Sequence, residues 1–187
     1  MKAPKFSNDL IGQLPPLRGR IEPNIDLSKS TWFRVGGPAE VMFWPADLDD
    51  LIMFLQNKPD TVPVTVIGIG SNLMIRDGGV PGVVIRLSKI FSEISVTGME
   101  VIAGGGLSNS RLANIACKHK ISGFEFLSGI PGTVGGSIRM NAGAYGSEIK
   151  DILQSVKALD KKGNLIDLSV SQLNYSYRHS DVNKELI

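Results

Sequence analysis

The chain of 187 residues is long enough for one large domain or two small ones. Its 20 basic and 18 acidic residues nearly cancel, which argues against a nucleic-acid binder, and 42% hydrophobic residues argue against a disordered chain. A single cysteine, Cys117, excludes a disulfide framework and indicates a reducing compartment. The sequence shows neither a signal peptide nor an apolar run long enough to span a membrane. The composition therefore predicts a soluble cytoplasmic protein with no membrane partner.

The first half of the chain predicts a small α/β unit. Prolines interrupt residues 1–30, so we predict loop structure there, apart from a weakly amphipathic stretch over residues 6–13. β-Branched and aromatic runs predict strands over residues 40–44, 64–67 and 83–87. Asp47 is suited to cap a helix after the first strand, because apolar side chains recur with helical spacing at Leu48, Leu51, Ile52 and Leu55.

The second half predicts two hairpins, one helix and a long loop. Turn residues at 97–98 and 160–163 each separate two β-branched runs, a pattern typical of hairpins. Ser108 or Asn109 is suited to cap a helix that ends by Gly123. The glycine-rich residues from there to the second hairpin are predicted to form one long loop.

These patterns divide the chain into three parts. We predict an N-terminal extension over residues 1–30, a first lobe over 31–87 and a second lobe over 88–187. An apolar segment begins just as the sequence stops at residue 187, which indicates a truncated chain.

Glycine is concentrated in one part of the sequence: 16 of the 21 glycines lie between Gly68 and Gly146. The first cluster, Gly68-Ile69-Gly70-Ser71-Asn72-Leu73, directly follows a predicted strand. Consecutive backbone amides without Cβ bulk form a nest for an anion, and the side chains of Ser71 and Asn72 add donors, so phosphate binding is one interpretation. An ordinary turn after a strand is the other. Leu73 replaces the third glycine of the dinucleotide fingerprint, which argues against a Rossmann site.

The second cluster runs from Gly129 to Ser137 and is followed by Asn141-Ala142-Gly143-Ala144-Tyr145-Gly146. No lysine precedes a serine or threonine there, so the cluster is not a Walker A loop. Its residues have low helix and strand propensity, which leaves a solvent loop or a ligand-binding loop. Small and apolar residues suit a surface that packs on a flat ring, so ligand binding is favoured.

Other catalytic patterns find little support. Cys117 and His119 supply only two candidate metal ligands on one predicted helix, and the spacing of a four-ligand zinc site is absent, so no metal site is predicted. The nucleophile-elbow pattern G-x-S-x-G is also missing from the sequence.

Four motifs follow one another along the chain: residues 31–39, the Gly68–Leu73 cluster, residues 123–146, and Tyr177-Arg178-His179-Ser180. Together they resemble the UDP-N-acetylenolpyruvoylglucosamine reductase family over residues 30–180. The resemblance implies an α+β, two-lobed FAD-binding fold of the vanillyl-alcohol-oxidase flavoprotein type. It also implies that NADPH and FAD reduce UDP-N-acetylglucosamine enolpyruvate to UDP-N-acetylmuramate in cytoplasmic peptidoglycan synthesis.

The resemblance further implies which residues contact the cofactor. They come from both glycine clusters and are Gly68, Gly70, Ser71, Asn72, Leu73, Ile130, Gly132, Thr133, Gly135, Gly136, Ser137, Asn141, Gly143 and Tyr145. Ser137 stands where many members of the family have alanine. Its hydroxyl is compatible with a contact to flavin or phosphate.

Arg178 is the expected catalytic residue. Hydride addition to the terminal carbon of the enol ether builds negative charge toward the carboxylate, which a permanently charged, forked guanidinium can stabilise. A surface salt bridge is the ordinary alternative for such an arginine. The family's proton-donating serine and late glutamate belong to a region beyond residue 187, so we expect the chain alone to be inactive.

Two other functions stay open at this point. One is a related flavoenzyme that oxidises a small alcohol or sugar acid, and the other is a flavin-binding module without catalysis. The Tyr177–Ser180 motif, together with the intact run over residues 123–146, favours the reductase.

Overall fold

The computed structural model describes residue 6, residues 8–87 and residues 89–181. The chain forms two compact units, Met1–Ser88 and Lys89–Ile187. Within the described residues, no helix combines the length and the apolar character needed to cross a membrane.

The first unit is built on a four-stranded mixed sheet. Its strands are β1 (Arg20–Asp26), β2 (Pro38–Trp44), β3 (Val64–Ile67) and β4 (Val80–Arg86), in the spatial order β1-β2-β4-β3. Strands β2, β4 and β3 run parallel, and β1 pairs antiparallel with β2. Helix α1 (Leu48–Asn57) connects β2 to β3. The carboxyl ends of the parallel strands therefore lie at one edge, where the Gly68–Leu73 cluster begins.

Helix α1 begins where the sequence predicts it. The Asp47 side chain accepts a hydrogen bond from the backbone N–H of Asp50 at 2.9 Å, so Asp47 is the N-cap. The buried Asp50 carboxylate accepts three backbone hydrogen bonds, from Arg18, Gly19 and Ala46. This carboxylate ties the helix to the chain entering β1. The strands predicted over 40–44, 64–67 and 83–87 are confirmed, with shifted ends in β2 and β4.

The prediction of loop structure over residues 1–30 is wrong for β1. Pro23 lies within this strand, and an edge strand tolerates proline because its outer side needs no ladder hydrogen bond. Asn24, with φ of +53°, interrupts the pairing with β2, and its side chain exchanges two hydrogen bonds with the backbone of Phe6. A short 3-10 helix, Asn8–Gln13, lies within the stretch predicted to be amphipathic.

Over residues 89–181, the second unit forms three antiparallel hairpins and two α-helices. The hairpins pair β5 (Ile94–Thr97) with β6 (Glu100–Ala103), β7 (Gly143–Ala144) with β8 (Ser147–Glu148), and β9 (Ser155–Leu159) with β10 (Leu165–Ser169). The helices are α2 (Asn109–Lys118), where Ser108 occupies the N-cap position without a side-chain hydrogen bond, and α3 (Val134–Met140). Both predicted hairpins and the predicted helix are confirmed. A cluster of buried side chains forms the core: Leu107, Leu112, Ala113, Phe126, Leu127, Val134, Ala142 and Ile149.

The prediction of one long loop between Gly123 and β9 is wrong. This stretch contains α3, the β7–β8 hairpin, and 3-10 helices at Glu125–Gly129 and Ile149–Asp151. Glycine disfavours a helix, but the Thr133 side chain caps α3 by accepting a hydrogen bond from Gly136 N. Val134 is buried in the core, and this burial stabilises a helix too short to form alone.

Candidate functional site

The Gly68–Leu73 cluster forms a loop at the carboxyl edge of the parallel strands, where ligands bind in open α/β sheets. A Cβ at Gly70, whose φ is +70°, would lie 2.4 Å from the Ser30 carbonyl oxygen, so the neighbouring backbone requires glycine here. Asn72 and Leu73 are exposed, and their backbone N–H groups find no acceptor among the described residues. The loop therefore offers at least these two amide donors to a ligand.

An open groove of about 770 Å³ lies beside this loop in the first unit, and Ile69 of the loop forms part of its wall. The lining includes three cations, Lys29, Arg34 and Arg86, and no carboxylate. Arg34 forms no ion pair with any residue that the structure describes, and Arg86 donates to the Ser30 hydroxyl at 3.3 Å. The groove is therefore positively charged and suited to an anionic ligand.

The start of the second cluster is hydrogen-bonded to a buried asparagine of the second unit. The fully buried Asn109 donates from its side chain to the Ile130 carbonyl at 3.0 Å and from its backbone to the Gly132 carbonyl at 3.1 Å. It also exchanges hydrogen bonds with the buried Ser137 hydroxyl, at 2.8 and 3.1 Å. The Ser137 hydroxyl, expected at a flavin or phosphate, is thus directed to Asn109 instead.

Two adjacent glycines of α3 have different surroundings. The backbone N–H of Gly135 donates to the Gly105 carbonyl at 2.9 Å, and a Cβ at position 135 would lie 3.1 Å from the same oxygen. A Cβ at Gly136 would meet nothing nearer than the Thr133 hydroxyl, at an ordinary 3.4 Å. Backbone contact within the unit therefore explains glycine at 135, whereas position 136 has room for a methyl group.

Tyr145 forms the turn between β7 and β8 in a left-handed conformation. Tyr145 and Gly146 have φ of +54° and +85°, as in a type I′ turn. A bulky residue is unusual at such a position, and this ring is 88% exposed and lies against Gly129. Strained backbone of this kind is concentrated at functional sites.

Arg178 lies in a second tight turn, closed by two backbone hydrogen bonds of 3.1 Å between Ser176 and His179. Its φ is +54°. One guanidinium nitrogen, Nη2, donates to the Gly143 carbonyl at 2.6 Å, and the guanidinium carbon lies 5.5 Å from the centre of the Tyr177 ring. None of the described carboxylates forms an ion pair with Arg178. A backbone carbonyl therefore holds the guanidinium, and no described carboxylate forms an ion pair with it.

The two turns line one open groove of about 380 Å³ in the second unit. The structure thus brings together Gly143, Tyr145 and Arg178 from the predicted site. It adds Glu148 and Lys150, whose side chains form an ion pair of 2.7 Å. The Lys150 ammonium, the Asn141 amide and the Arg178 charge hold the pKa of Glu148 below its ordinary value.

Sequence reasoning missed the cations of the first groove and the Glu148–Lys150 pair. Only proximity along the chain to Gly146 could have drawn attention to Glu148, because its partners come from folding. Asn141 was expected to contact the cofactor, yet its side chain is fully buried and hydrogen-bonded to three protein groups.

The residues considered as metal ligands do not assemble into a site. Cys117 is exposed near the end of α2, and the exposed His119 follows this helix as its C-cap residue. In the part of the chain that the structure describes, no group of three or more His, Cys, Asp or Glu side chains is placed to hold a metal ion.

Residues 39–169 match a family model described as an FAD binding domain. The chain belongs to the FAD-binding domain family. This FAD-binding domain is 49% identical over 188 residues to a UDP-N-acetylenolpyruvoylglucosamine reductase of Bradyrhizobium sp. (strain ORS 278), covering 100% of this chain and 61% of that protein. It therefore spans about three fifths of the length of the curated relatives it matches.

Solved structures agree with this assignment. The UDP-N-acetylenolpyruvylglucosamine reductase of Thermus caldophilus superposes with a TM-score of 0.78 at 32% identity, over 90% of this chain and 59% of that one. The 6-hydroxy-D-nicotine oxidase of Arthrobacter nicotinovorans, at 15% identity and a TM-score of 0.61, shares the fold over 84% of this chain and 37% of its own. The expected α+β flavoprotein fold and the family resemblance are confirmed.

The residues of the FAD-binding domain fit such a cofactor. The amides of Asn72 and Leu73 can donate to a pyrophosphate, and the neighbouring groove carries only positive charge. In the second unit, position 136 has room for a contact and the side chain of Tyr145 is exposed, so each is separately accessible to a flat, apolar ring.

Proposed function

We propose that this FAD-binding domain serves an enzyme that reduces UDP-N-acetylglucosamine enolpyruvate to UDP-N-acetylmuramate with electrons from NADPH. The observation that carries the proposal is Arg178, whose charge is unpaired among the described carboxylates and which a backbone carbonyl holds in a groove. The name of the relative at 49% identity supports the same substrate. The reaction belongs to peptidoglycan precursor synthesis.

The proposal assigns cofactor contacts within each unit, considered by itself. In the first unit, Asn72 and Leu73 would hold the pyrophosphate through their amides. In the second unit, Gly136 and Tyr145 are the accessible positions for a contact to the ring system. When bound, FAD supplies the hydride chemistry that joins NADPH oxidation to reduction of the enol ether. Gly70 would shape its loop and Gly135 the first turn of α3 through backbone contacts, without a need to touch the ligand.

Arg178 would act on the carboxylate of the substrate. A guanidinium has five N–H donors, and the Gly143 carbonyl accepts from one of its nitrogens, which leaves others for a bidentate contact. Negative charge grows toward this carboxylate as hydride arrives, so a fixed cation stabilises the transition state more than the ground state. The groove would also orient the substrate beside the exposed rings of Tyr145 and Tyr177.

Completion of the reduction also needs a proton at the adjacent carbon. We propose that the donor comes from the serine expected beyond residue 187 and not from a residue of the two grooves. The 187-residue chain would then bind FAD without producing UDP-N-acetylmuramate.

The test uses the protein expressed from its complete gene. The bound flavin is extracted and identified, and NADPH and the enolpyruvyl sugar nucleotide are then supplied together. We expect FAD, and a product heavier than the substrate by two hydrogens. A protein that cannot be loaded with FAD overturns the proposal, and turnover only with alcohols or sugar acids replaces it with a related flavoenzyme. FAD without turnover of any substrate leaves a binding module.

A further inference from the structure

Asn141 lies at the end of α3 in a left-handed conformation, with φ of +42° and no exposed surface. Its side-chain amide donates to Glu148 Oε2 and to the Ser176 carbonyl, both at 3.0 Å. Its side-chain oxygen accepts from the backbone N–H of Lys150 at 3.2 Å. Both donors of the amide are therefore used inside the protein.

These bonds join three elements that surround one groove. Ser176 closes the turn that carries Arg178, and Glu148 ends β8, which pairs with the strand containing Gly143. Gly143 in turn supplies the carbonyl that binds the Arg178 guanidinium. Asn141 thus connects the backbone just before Arg178 to the segment that follows β8.

A second bond restrains the same turn from its other end. The Ser180 hydroxyl donates to the Arg139 carbonyl in α3 at 2.6 Å. Ser180 is buried and lies two residues beyond Arg178. The turn is therefore attached to α3 before and after the arginine, at Ser176 and at Ser180.

We infer that Asn141 is a positioning residue for Arg178 and makes no contact with the cofactor. The inference rests on the proposed function, because it gives Arg178 a reacting substrate to face. Arg178 has an unfavourable φ and lies in an exposed turn. Its placement therefore depends on the hydrogen bonds that hold the turn at Ser176 and Ser180. An error of about 1 Å in such a group can cost on the order of a hundredfold in rate.

The test compares Asn141→Gly with Asn24→Gly in the protein expressed from its complete gene. Both asparagines have positive φ, which glycine adopts without strain, and both lose side-chain hydrogen bonds to backbone atoms. We expect Asn141→Gly to retain FAD and its reduction by NADPH, while oxidation by the sugar nucleotide slows roughly tenfold. Asn24→Gly, in the first unit, should leave that rate unchanged.

Trypsin supplies a readout that needs no substrate, because it cleaves after Arg178. We expect cleavage at the Arg178–His179 bond to accelerate in Asn141→Gly but not in Asn24→Gly, measured by mass spectrometry of the released peptide. Loss of FAD in Asn141→Gly would identify a cofactor contact and overturn the inference. A slower reaction with wild-type cleavage at Arg178 would overturn it as well, since the turn would not have moved.

Ser180→Ala keeps the test decisive if Asn141→Gly does not fold. It removes only the bond to Arg139, so we expect a smaller change of the same kind in the oxidation rate and in tryptic cleavage. Wild-type behaviour in both measurements would contradict the anchoring of the turn. A wild-type protein without sugar-nucleotide turnover would instead refute the proposed function, while the cleavage comparison would still test the anchoring.

Discussion

The two glycine clusters look alike in the sequence and differ in the structure. The cluster at Gly68–Leu73 stays a loop whose last amides are exposed. The cluster over residues 129–146 contains α3, β7 and the turn that leads to β8. Its polar side chains Ser137 and Asn141 are buried and form hydrogen bonds within the unit. The first cluster can therefore bind a ligand directly, whereas much of the second supports the groove that contains Arg178.

The comparison also separates two reasons for glycine. At Gly70 and Gly135, a Cβ would press on the backbone of another segment of the same unit. At Gly136 it would meet only an ordinary contact. Glycine content alone thus cannot tell close packing of the chain from space for a ligand.

The largest expected effect comes from Arg178→Ala. It should slow oxidation by the enolpyruvyl sugar nucleotide roughly a hundredfold or more, equivalent to about 3 kcal/mol, because the lost charge acts as negative charge develops. FAD content and reduction by NADPH should stay near wild type, and Arg178→Lys should rescue poorly because an ammonium cannot form the fork. Rapid-mixing absorbance measures both steps. An unchanged oxidation rate would leave Arg178 without a role in the reaction.

Gly70→Ala and Asn72→Ala test the first cluster. Gly70→Ala should lower the free energy of unfolding by about 2 kcal/mol or more, since its φ is positive and the new Cβ meets the Ser30 carbonyl. Asn72→Ala should leave that stability within about 0.5 kcal/mol, because the residue is exposed. Urea denaturation measures both variants. Equal destabilisation would show that the loop is structural throughout.

Gly135→Ala and Gly136→Ala make the same distinction within α3. Gly135→Ala should cost about 1 kcal/mol or more from crowding against Gly105, although alanine favours a helix. Gly136→Ala should leave the free energy of unfolding unchanged or raise it by up to about 1 kcal/mol. If this substitution impairs the protein, it should do so by weakening FAD binding. Thermal unfolding and FAD titration, run in parallel, separate the two. Loss of FAD affinity from Gly135→Ala alone would reverse the assignment.

The smallest effect is expected at Tyr175. Among the described residues its buried hydroxyl has no hydrogen-bond partner, and burial raises its pKa to about 12. Tyr175→Phe should therefore leave stability at neutral pH unchanged or slightly higher. The folded state holds this proton more tightly than the unfolded state, so wild-type stability should fall as pH rises from about 10 to about 12. The phenylalanine variant should lose less over that range, and parallel slopes in urea titrations would contradict the burial of the hydroxyl.

Local sequence patterns predict those elements whose signals lie within a few residues. Asp47 predicts the start of α1, and the turn residues at 97–98 and 160–163 predict two hairpins. Strand β1 is not predicted because proline usually interrupts a strand. Pro23 is compatible with β1 because this strand lies at the edge of the sheet, which the sequence alone does not show. Helix α3 is not predicted because glycine has a low helix propensity, which the burial of Val134 in the folded protein outweighs.

The candidate site shows the same limit more sharply. Motif resemblance selects Arg178, Tyr145 and Gly143, which do lie in one groove. It also selects Asn141 for the cofactor, although this amide binds Ser176, 35 positions later in the chain. No local pattern reports a contact over that separation, so this hydrogen bond is visible only in the folded protein.

We propose that this FAD-binding domain serves reduction of an enolpyruvyl sugar nucleotide. The most direct test follows the flavin absorbance of the protein expressed from its complete gene, without oxygen, after NADPH has bleached it. Addition of UDP-N-acetylglucosamine enolpyruvate should restore the absorbance and yield one UDP-N-acetylmuramate per flavin. Absorbance that returns only when oxygen is admitted would contradict the claim and indicate an oxidase built on the same fold.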